Sequence, residues 1–368
     1  MTQAYERLLV GHVLAGRYEV GEVIGRGGMS VVYHGVDRTL GRPVAVKVVS
    51  LPSVSDEMRA NLRERFRREA GSAACIPHHP NVVQVYDYGT DPELDLDFIV
   101  MELLVGRDLK EALAAGGLPP QQGIRLLREA ARGLAAGHRV GIVHRDVKPA
   151  NLFLVGEGNV ESVRVLDFGI AKPLDADPEA DLTRTGHFAY SPAYASPEQL
   201  RRERAFTPAS DVYQLGLIGY ELLAGERPFD EAERLRIRAG ERLEVPVRGR
   251  WSHAPSALRA VLERALRAEP EERYADAGEL AEALAADDVD WDETVVEAPV
   301  LVATAAAVPP RVVEAPPVEE PAVARERVRP AEPPPAHGVP VGVSGAGRRH
   351  AAPALWTRLA AVPPVGWV

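Results

Sequence analysis

The chain has 368 residues, of which 46% are hydrophobic and 26% charged, and this apolar content excludes a wholly disordered or fibrous protein. Its 43 basic and 53 acidic residues leave a formal net charge of −10, which argues against nucleic acid as a partner. The single cysteine, Cys75, excludes an intramolecular disulfide and fits a reducing compartment.

Residues 1–17 lack a basic start followed by a long apolar run, so we expect no signal peptide and a cytoplasmic location. We interpret them as an N-terminal extension. Beyond them, five segments rich in β-branched residues and bounded by Gly, Pro or Asp predict strands: residues 18–24, 31–36, 43–49, 82–86 and 98–103. One helix interrupts these strands, and its apolar positions recur at helical spacing: Met58, Leu62, Phe66, Ala70 and Ala73.

After Leu109 the pattern becomes helical. One long helix has a face formed by Ile124, Leu127, Ala131, Leu134 and His138. Residues 211–225 are apolar nearly all round, so we expect this helix to run through the centre of the second half. The sequence therefore predicts an α+β fold of two lobes: a small β-rich lobe with one helix and a hinge over 18–105, and a larger, mainly helical lobe over 106–286. The cleft between such lobes is a favoured ligand site.

The last part of the chain, residues 287–368, has a different composition. Nearly half of the 31 prolines follow Val300, and the Ala/Pro/Val/Glu sequence lacks both helical and strand periodicity. We therefore expect a disordered, extended tail. Its apolar end contains Arg358, Pro363 and Pro364 and is short for a hydrocarbon core of about 30 Å, so we expect no membrane span.

The first chemical signal is a glycine-rich loop with Gly25, Gly27 and Gly28 between two predicted strands. A dinucleotide-binding fingerprint needs a helix directly after its glycines, and a strand-like run follows here. The glycines suit a hairpin whose backbone can approach phosphates closely. An ordinary hairpin turn remains the alternative for this loop alone.

The second signal is Lys47, which lies among alternating aliphatic residues on a predicted strand. A buried ammonium needs a partner, and Glu69, beside the apolar stripe of the predicted helix, can supply one while leaving the lysine free to contact phosphate oxygens. The alternative is that Lys47 ends an exposed strand and Glu69 belongs to a solvated face.

The third signal is more specific. Asp146 and Asn151 lie five residues apart in HRDVKPAN, and Asp167 follows a short aliphatic strand in VRVLDFG. Phosphoryl transfer needs such groups, since magnesium must neutralise the triphosphate while a carboxylate accepts a proton from the attacking hydroxyl. Lys148 can place positive charge on the transferred group.

The order of these motifs, together with FRREA, SPEQ and DVYQLG, resembles the eukaryotic-type protein kinase family and, more narrowly, its bacterial serine/threonine branch. The resemblance covers Tyr18 to Ala286. It implies that ATP is bound by a glycine-rich loop, a hinge and the strands between them, through Ile24, Gly25, Arg26, Gly27, Gly28, Met29, Ser30, Val32, Ala45, Lys47, Met101, Glu102, Leu104 and Phe153.

By the same resemblance, Lys47 contacts the α- and β-phosphates and pairs with Glu69 of a regulatory helix. Asp146 is the catalytic base, and Lys148 lies beside the γ-phosphate. Asn151 and Asp167 hold Mg²⁺ or Mn²⁺.

The resemblance also implies structural roles outside the nucleotide site. Glu198 and Arg273 form a buried ion pair. Asp211 holds the backbone of the loop that carries Asp146, and His144 supports that loop without acting as a base.

Lys148 stands two residues after Asp146, and a lysine at this position is typical of serine/threonine kinases. By this resemblance, we expect the acceptors to be Ser or Thr hydroxyls of proteins. Two departures from the family pattern are present. Ser30 replaces a glycine in the loop, and Tyr190 and Ser191 stand where Gly-Thr is usual, which leaves docking of the acceptor peptide open.

Regulation and partners are further hypotheses. Phosphate on Thr183 or Thr185 could pair with Arg145 and order the loop, although an unmodified polar loop is the alternative. Thr294, among acidic residues, is either a docking site for a phosphothreonine-binding partner or part of a solvated linker. Homodimerisation through the small lobe is common in the branch that the sequence resembles.

Two other functions compete with an active protein kinase. A pseudokinase scaffold commonly lacks at least one of the catalytic residues, and here all are present. A small-molecule kinase of the aminoglycoside or choline type lacks the SPEQ segment and the lysine at position 148.

Overall fold

The computed structural model describes residues 9–26, 30–49, 67, 70–71, 73–91, 93–156, 158–168, 192–201, 203 and 206–285. The expectations for the tail and for most of the predicted helix around Phe66 lie outside these residues. So do those for Thr183, Thr185, Tyr190, Ser191 and Thr294.

The small lobe is an antiparallel sheet of six strands in the order β1-β2-β3-β4-β6-β5. The strands are β1 (Val13–Leu14), β2 (Tyr18–Arg26), β3 (Ser30–Asp37), β4 (Arg42–Val49), β5 (Val85–Asp91) and β6 (Leu96–Met101). Alternate residues of β3 are buried, as expected for a sheet with one covered face. Tyr33, Val46 and Phe98 belong to the apolar core on that face.

Residues 9–17 are part of this lobe. Leu9 and Leu14 are buried in its core, and Val13 pairs with Glu19 at the sheet edge. Arg17 forms a bidentate ion pair with buried Asp37, with distances of 2.9 and 2.7 Å.

The predicted strand 82–86 is wrong in position, because β5 is Val85–Asp91. Val82 instead forms a parallel bridge with Val165, and Val83 N–H donates to the Val165 carbonyl at 3.0 Å. An apolar β-branched run shows that a segment can pair but does not identify its partner strand. The other four predicted strands occur, with ends shifted by one or two residues.

The large lobe is mainly helical. Within the described residues its helices are α1 (Leu109–Ala114), α2 (Pro120–His138), α3 (Pro197–Leu200), α4 (Pro208–Ala224), α5 (Glu231–Arg238), α6 (Ser256–Ala265) and α7 (Ala277–Ala283). A small antiparallel sheet in the order β7-β8-β9 completes it: β7 (Gly106–Asp108), β8 (Leu152–Val155) and β9 (Ser162–Val165).

Helix α4 is buried along almost its whole length, which confirms the prediction of a central helix. The four apolar residues of the stripe predicted for α2 (Ile124, Leu127, Ala131 and Leu134) are likewise buried in the large-lobe core. Ile76 and Val82 pack into that same core although they precede strands of the small lobe. The segment around them therefore anchors the small lobe to the large one.

Candidate active site

The loop between α2 and β8 carries Asp146, and buried Asp211 holds its backbone. The Asp211 carboxylate accepts hydrogen bonds from the N–H groups of His144 and Arg145, each at 2.7 Å. Asp211 is fully buried at the first turn of α4, so its charge is compensated by donors rather than by water. The expected role of Asp211 is confirmed.

A third donor to Asp211 is His138, the last residue of α2. Its Nε2 lies 2.9 Å from Asp211 Oδ2, while its Nδ1 accepts the N–H of Ala277 at 3.2 Å. Because Nδ1 accepts, the ring proton is on Nε2 and is donated to Asp211. From the sequence, His138 was expected only to lie on a buried helix face. An imidazole among apolar residues needs a hydrogen-bond partner inside the protein, and this was the feature that could have indicated its role.

His144 ties the loop to the end of β9. Its side chain is buried, Nε2 donates to the carbonyl of Leu166 at 2.7 Å, and the ring lies 5.1 Å from that of Phe168. These contacts confirm that His144 supports the loop.

Asp146 lies on this loop with two neighbours. Lys148 Nζ donates to Asp146 Oδ2 at 2.8 Å, and Asn151 Nδ2 donates to the Asp146 carbonyl at 2.8 Å. Both Asp146 and Lys148 keep part of their side chains exposed, at 20% and 26%. A substrate can therefore reach both groups.

Asp167 is brought beside the same loop. The backbone of Leu166 donates to the Asn151 carbonyl at 2.9 Å, and Asp167 itself adopts a left-handed backbone with φ of 54°. Lys47 Nζ lies 2.6 Å from Asp167 Oδ1. Lys47 and Asp167 thus form one hydrogen-bonded pair, and Lys148, Asn151 and Asp146 form a second group; the backbone bond from Leu166 to Asn151 joins the two. The expected partner Glu69 lies outside the described residues.

Asn151 and Asp167 present oxygen donors, which Mg²⁺ and Mn²⁺ prefer. The Asn151 amide nitrogen is used on Asp146, which leaves its carbonyl oxygen for a cation. The described residues contain no group of three or more His, Cys, Asp or Glu side chains suited to a metal. One carboxylate and one amide instead suit a cation that shares its remaining ligands with phosphates and water.

An apolar cluster adjoins these polar groups. It contains Ala45 and Met101, which pair across β4 and β6, together with Val32 and Leu104. Gly25 pairs with Val32 across β2 and β3, and Val32 pairs with Lys47 across β3 and β4. Gly25 of the glycine-rich loop and Lys47 are therefore at matching positions on the two strands that flank β3. A flat apolar ligand at this cluster would lie next to the lysine.

The other expected nucleotide contacts are placed as follows. Ile24 is half-exposed on β2, and Arg26 and Ser30 lie at the two strand ends beside the loop. Phe153 on β8 has its ring against Gly106, and Glu102 follows β6. Gly27, Gly28 and Met29 lie outside the described residues.

A second expected pair is confirmed in the large lobe. Both side chains of Glu198 and Arg273 are fully buried, and two hydrogen bonds of 2.9 Å join them. Burial raises the pKa of Glu198, but Arg273 outweighs that effect and holds the pKa below its ordinary value.

Comparison with known proteins agrees with this geometry. A family model described as the protein kinase domain matches residues 18–286. The chain is 38% identical over 281 residues to serine/threonine-protein kinase PknA of Mycobacterium tuberculosis, and 37% identical over 276 residues to PrkC of Bacillus subtilis. These matches cover 75% and 74% of this chain, and 62% and 41% of PknA and PrkC.

Among solved structures, the PknI kinase domain of Mycobacterium tuberculosis superposes with a TM-score of 0.56 at 28% identity. The match covers 74% of this chain and 96% of that one. The chain belongs to the protein kinase family, in its eukaryotic-type bacterial serine/threonine branch. Among the described residues, no helix has the length and apolar content that crossing a membrane requires.

Proposed function

We propose that the protein is an active serine/threonine protein kinase, which transfers the γ-phosphoryl group of ATP to Ser or Thr hydroxyls of proteins. The observation that supports this most directly is the hydrogen-bonded group of Lys47, Asp146, Lys148, Asn151 and Asp167 beside an apolar cluster. Phosphoryl transfer needs a carboxylate that takes a proton, ligands for a cation, and positive charge near the phosphates, and this group contains a residue for each of these roles.

The adenine ring packs on the cluster that contains Val32, Ala45, Met101 and Leu104. The N–H of Glu102 is already donated to the Gln84 carbonyl at 2.9 Å. No hydrogen bond within the described part of the chain uses the N–H of Leu104, so it can bond the purine edge.

The acceptor hydroxyl lies against Asp146, which orients it and takes its proton as the oxygen attacks the γ-phosphorus. The bond from the γ-phosphorus to the bridging oxygen breaks, and ADP leaves. Lys148 is 2.8 Å from Asp146 and neutralises charge on the transferred group. Lys47 acts on the α- and β-phosphates. Asn151 and Asp167 would hold Mg²⁺, which supplies positive charge to the triphosphate when bound.

The test is incubation of the full chain with labelled ATP and Mg²⁺, with Mn²⁺ in parallel, and a generic acceptor protein. We expect label on Ser and Thr only. Asp146→Asn should remove turnover while leaving nucleotide binding. Wild-type protein that binds ATP without transferring phosphate would instead be a nucleotide-binding scaffold.

We further propose that Thr183 or Thr185 is autophosphorylated and that the phosphate is bound by Arg145, which directly precedes Asp146. Site mapping of active protein tests this. If neither threonine carries phosphate, the proposal fails. The same digest tests Thr294, whose phosphorylation should make the chain bind an isolated phosphothreonine-recognition domain, and Thr294→Ala should remove that binding.

We propose a homodimer through the small lobe as well. Val10, Val36 and Leu40 are large apolar residues of this lobe that are 48%, 37% and 60% exposed. Leu40→Asp should shift the chain to monomer in sedimentation equilibrium. Val247→Asp, at an equally exposed valine of the large lobe, is the control and should leave the mass unchanged.

A further inference from the structure

Two buried glutamines contact the loop that carries Asp146, which we call the catalytic loop. Neither glutamine takes part in the proposed chemistry. Gln199 is on α3 and Gln214 on α4, and each is 1% exposed. Gln214 Nε2 donates to Gln199 Oε1 at 2.9 Å. Because buried amides are costly without partners, each remaining polar atom of this pair should have a definite target.

Those targets lie on both sides of Asp146. Gln214 Oε1 accepts the N–H of Val147 at 2.7 Å. The carbonyl of Arg145 accepts Gln199 Nε2 at 2.7 Å and Gln214 Nε2 at 3.3 Å. The peptide groups before and after Asp146 are therefore both held by the glutamine pair.

Gln199 also fixes its own segment. Its Oε1 accepts the N–H of Ser196 at 2.9 Å, at the start of α3. Ser196 N–H and Val147 N–H can only donate, so they determine which way each amide group faces. One amide thus connects residues 192–200, which follow Thr183 and Thr185 in the chain, to the loop that carries Asp146.

This connection acts where the backbone is strained. Arg145 has φ of 68°, in the left-handed region that non-glycine residues rarely adopt. Asp211 holds the N–H of Arg145, and the glutamines hold its carbonyl. Asp211 thus holds the peptide group before Arg145, and the glutamines hold the one after it. Losing either set would let the backbone at Arg145 rotate and carry the Asp146 carboxylate with it.

Resting on the proposed kinase function, we infer that Gln199 and Gln214 are positioning residues that make the orientation of Asp146 depend on how residues 192–200 are seated. When this segment is seated, Gln199 bonds the Arg145 carbonyl and Asp146 faces the acceptor. When it is displaced, the bond is lost and turnover falls, although ATP still binds.

The experiment compares Gln199→Met and Gln214→Met with wild type. Methionine has a similar length but no hydrogen-bonding amide, so the Arg145 carbonyl loses a partner in either variant. We expect kcat to fall about tenfold in each, with KM for ATP within about twofold of wild type. The double variant should lose less than the product of the two effects, because the residues form one network. Gln122→Met, which removes an amide bonded to Glu161 and Gly158, is the matched control.

Amide hydrogen exchange at Val147 provides a readout independent of turnover. Exchange should rise in Gln214→Met, and also in Gln199→Met, although Gln199 does not contact Val147 directly. Wild-type kcat in both glutamine variants, or unchanged exchange at Val147 in Gln199→Met, would overturn the inference. An inactive wild type would refute the kinase proposal instead, while the exchange measurement still decides the coupling. Thermal unfolding monitored alongside confirms that the variants compared are folded.

Discussion

The ammonium of Lys47 and the carboxylate of Asp167 are 2.6 Å apart, although 120 positions separate the residues in the chain. The side chain of the lysine is 7% exposed and that of the aspartate 35%. A buried ammonium of the small lobe is therefore paired with a carboxylate of the large lobe that still faces solvent. The same carboxylate is the proposed cation ligand, which makes its removal a direct test.

Asp167→Asn should lower kcat by about a hundredfold or more, because it removes an anionic ligand and the partner of Lys47 together. Stability should change by only about 1 kcal/mol, since the carboxylate is partly exposed and solvent screens the pair. Steady-state turnover and urea unfolding measure the two effects. Lys110→Met, at an exposed lysine of α1, is the control for general charge effects. Turnover within tenfold of wild type would contradict the assignment.

His138→Phe should weaken the support of the catalytic loop. It fills the same buried space but leaves Asp211 with two donors instead of three and the Ala277 N–H without its acceptor. We expect a loss of about 1–3 kcal/mol in the free energy of unfolding and a decrease in kcat. Chemical denaturation and turnover measure both. His253→Phe, outside this network, should change neither.

Arg273→Met should be the most destabilising of these substitutions, since it leaves the Glu198 carboxylate buried and without its cation. The expected loss is about 3–5 kcal/mol. The double variant Glu198→Leu/Arg273→Met should recover much of that loss, because no unpaired charge remains. A double variant as unstable as the single one would show that the pair acts through shape rather than charge.

Two glycines of α2 should differ in how well they tolerate alanine. A Cβ at Gly133 would lie 2.5 Å from the carbonyl oxygen of Asn81, whereas at Gly123 it would meet only a side-chain methyl of Leu222 at 3.2 Å. Gly133→Ala should therefore cost about 1–3 kcal/mol. Gly123→Ala should be close to neutral, as helix propensity offsets a small side-chain shift. Equal effects in thermal unfolding would exclude close approach as the reason for Gly133.

The acid stability of the small lobe should depend on Asp37. Bonding to Arg17 lowers the pKa of Asp37 to about 2 despite its burial, and the N–H of Leu40 adds to this. A carboxyl with a depressed folded pKa contributes stability that is complete above its unfolded pKa of about 3.9 and is lost as pH falls towards 2. Between pH 4 and 2, the unfolding midpoint of wild type should fall more steeply than that of Asp37→Asn. Parallel slopes would show that Asp37 is not the group responsible.

Much of the candidate site could be predicted because it depends on short motifs. Asp211 and the Glu198–Arg273 pair were expected from the family resemblance, and the structure confirms both. The central helix was predicted from its apolar composition alone, since only a buried helix can be apolar on all sides.

Contacts between distant buried polar groups could not be predicted in the same way. Nothing local in the sequence indicates that His138 donates to Asp211, or that Gln199 and Gln214 meet at the Arg145 carbonyl. Such bonds depend on how helices pack, and one polar residue has many potential partners before the chain folds. The shifted strand β5 has a similar cause, because residues 81–83 pair with the large lobe instead.

The pairing of Val82 with Val165 limits how the two lobes can move. Because residues 81–83 pair with β9 of the large lobe, the chain enters the small lobe at Gln84 and leaves it at Glu102, and one backbone hydrogen bond of 2.9 Å joins these two positions. The joined strands keep a fixed spacing where the two lobes meet. Opening of the cleft should therefore pivot close to this pair, so that parts of the nucleotide channel far from Gln84 widen more than parts beside it.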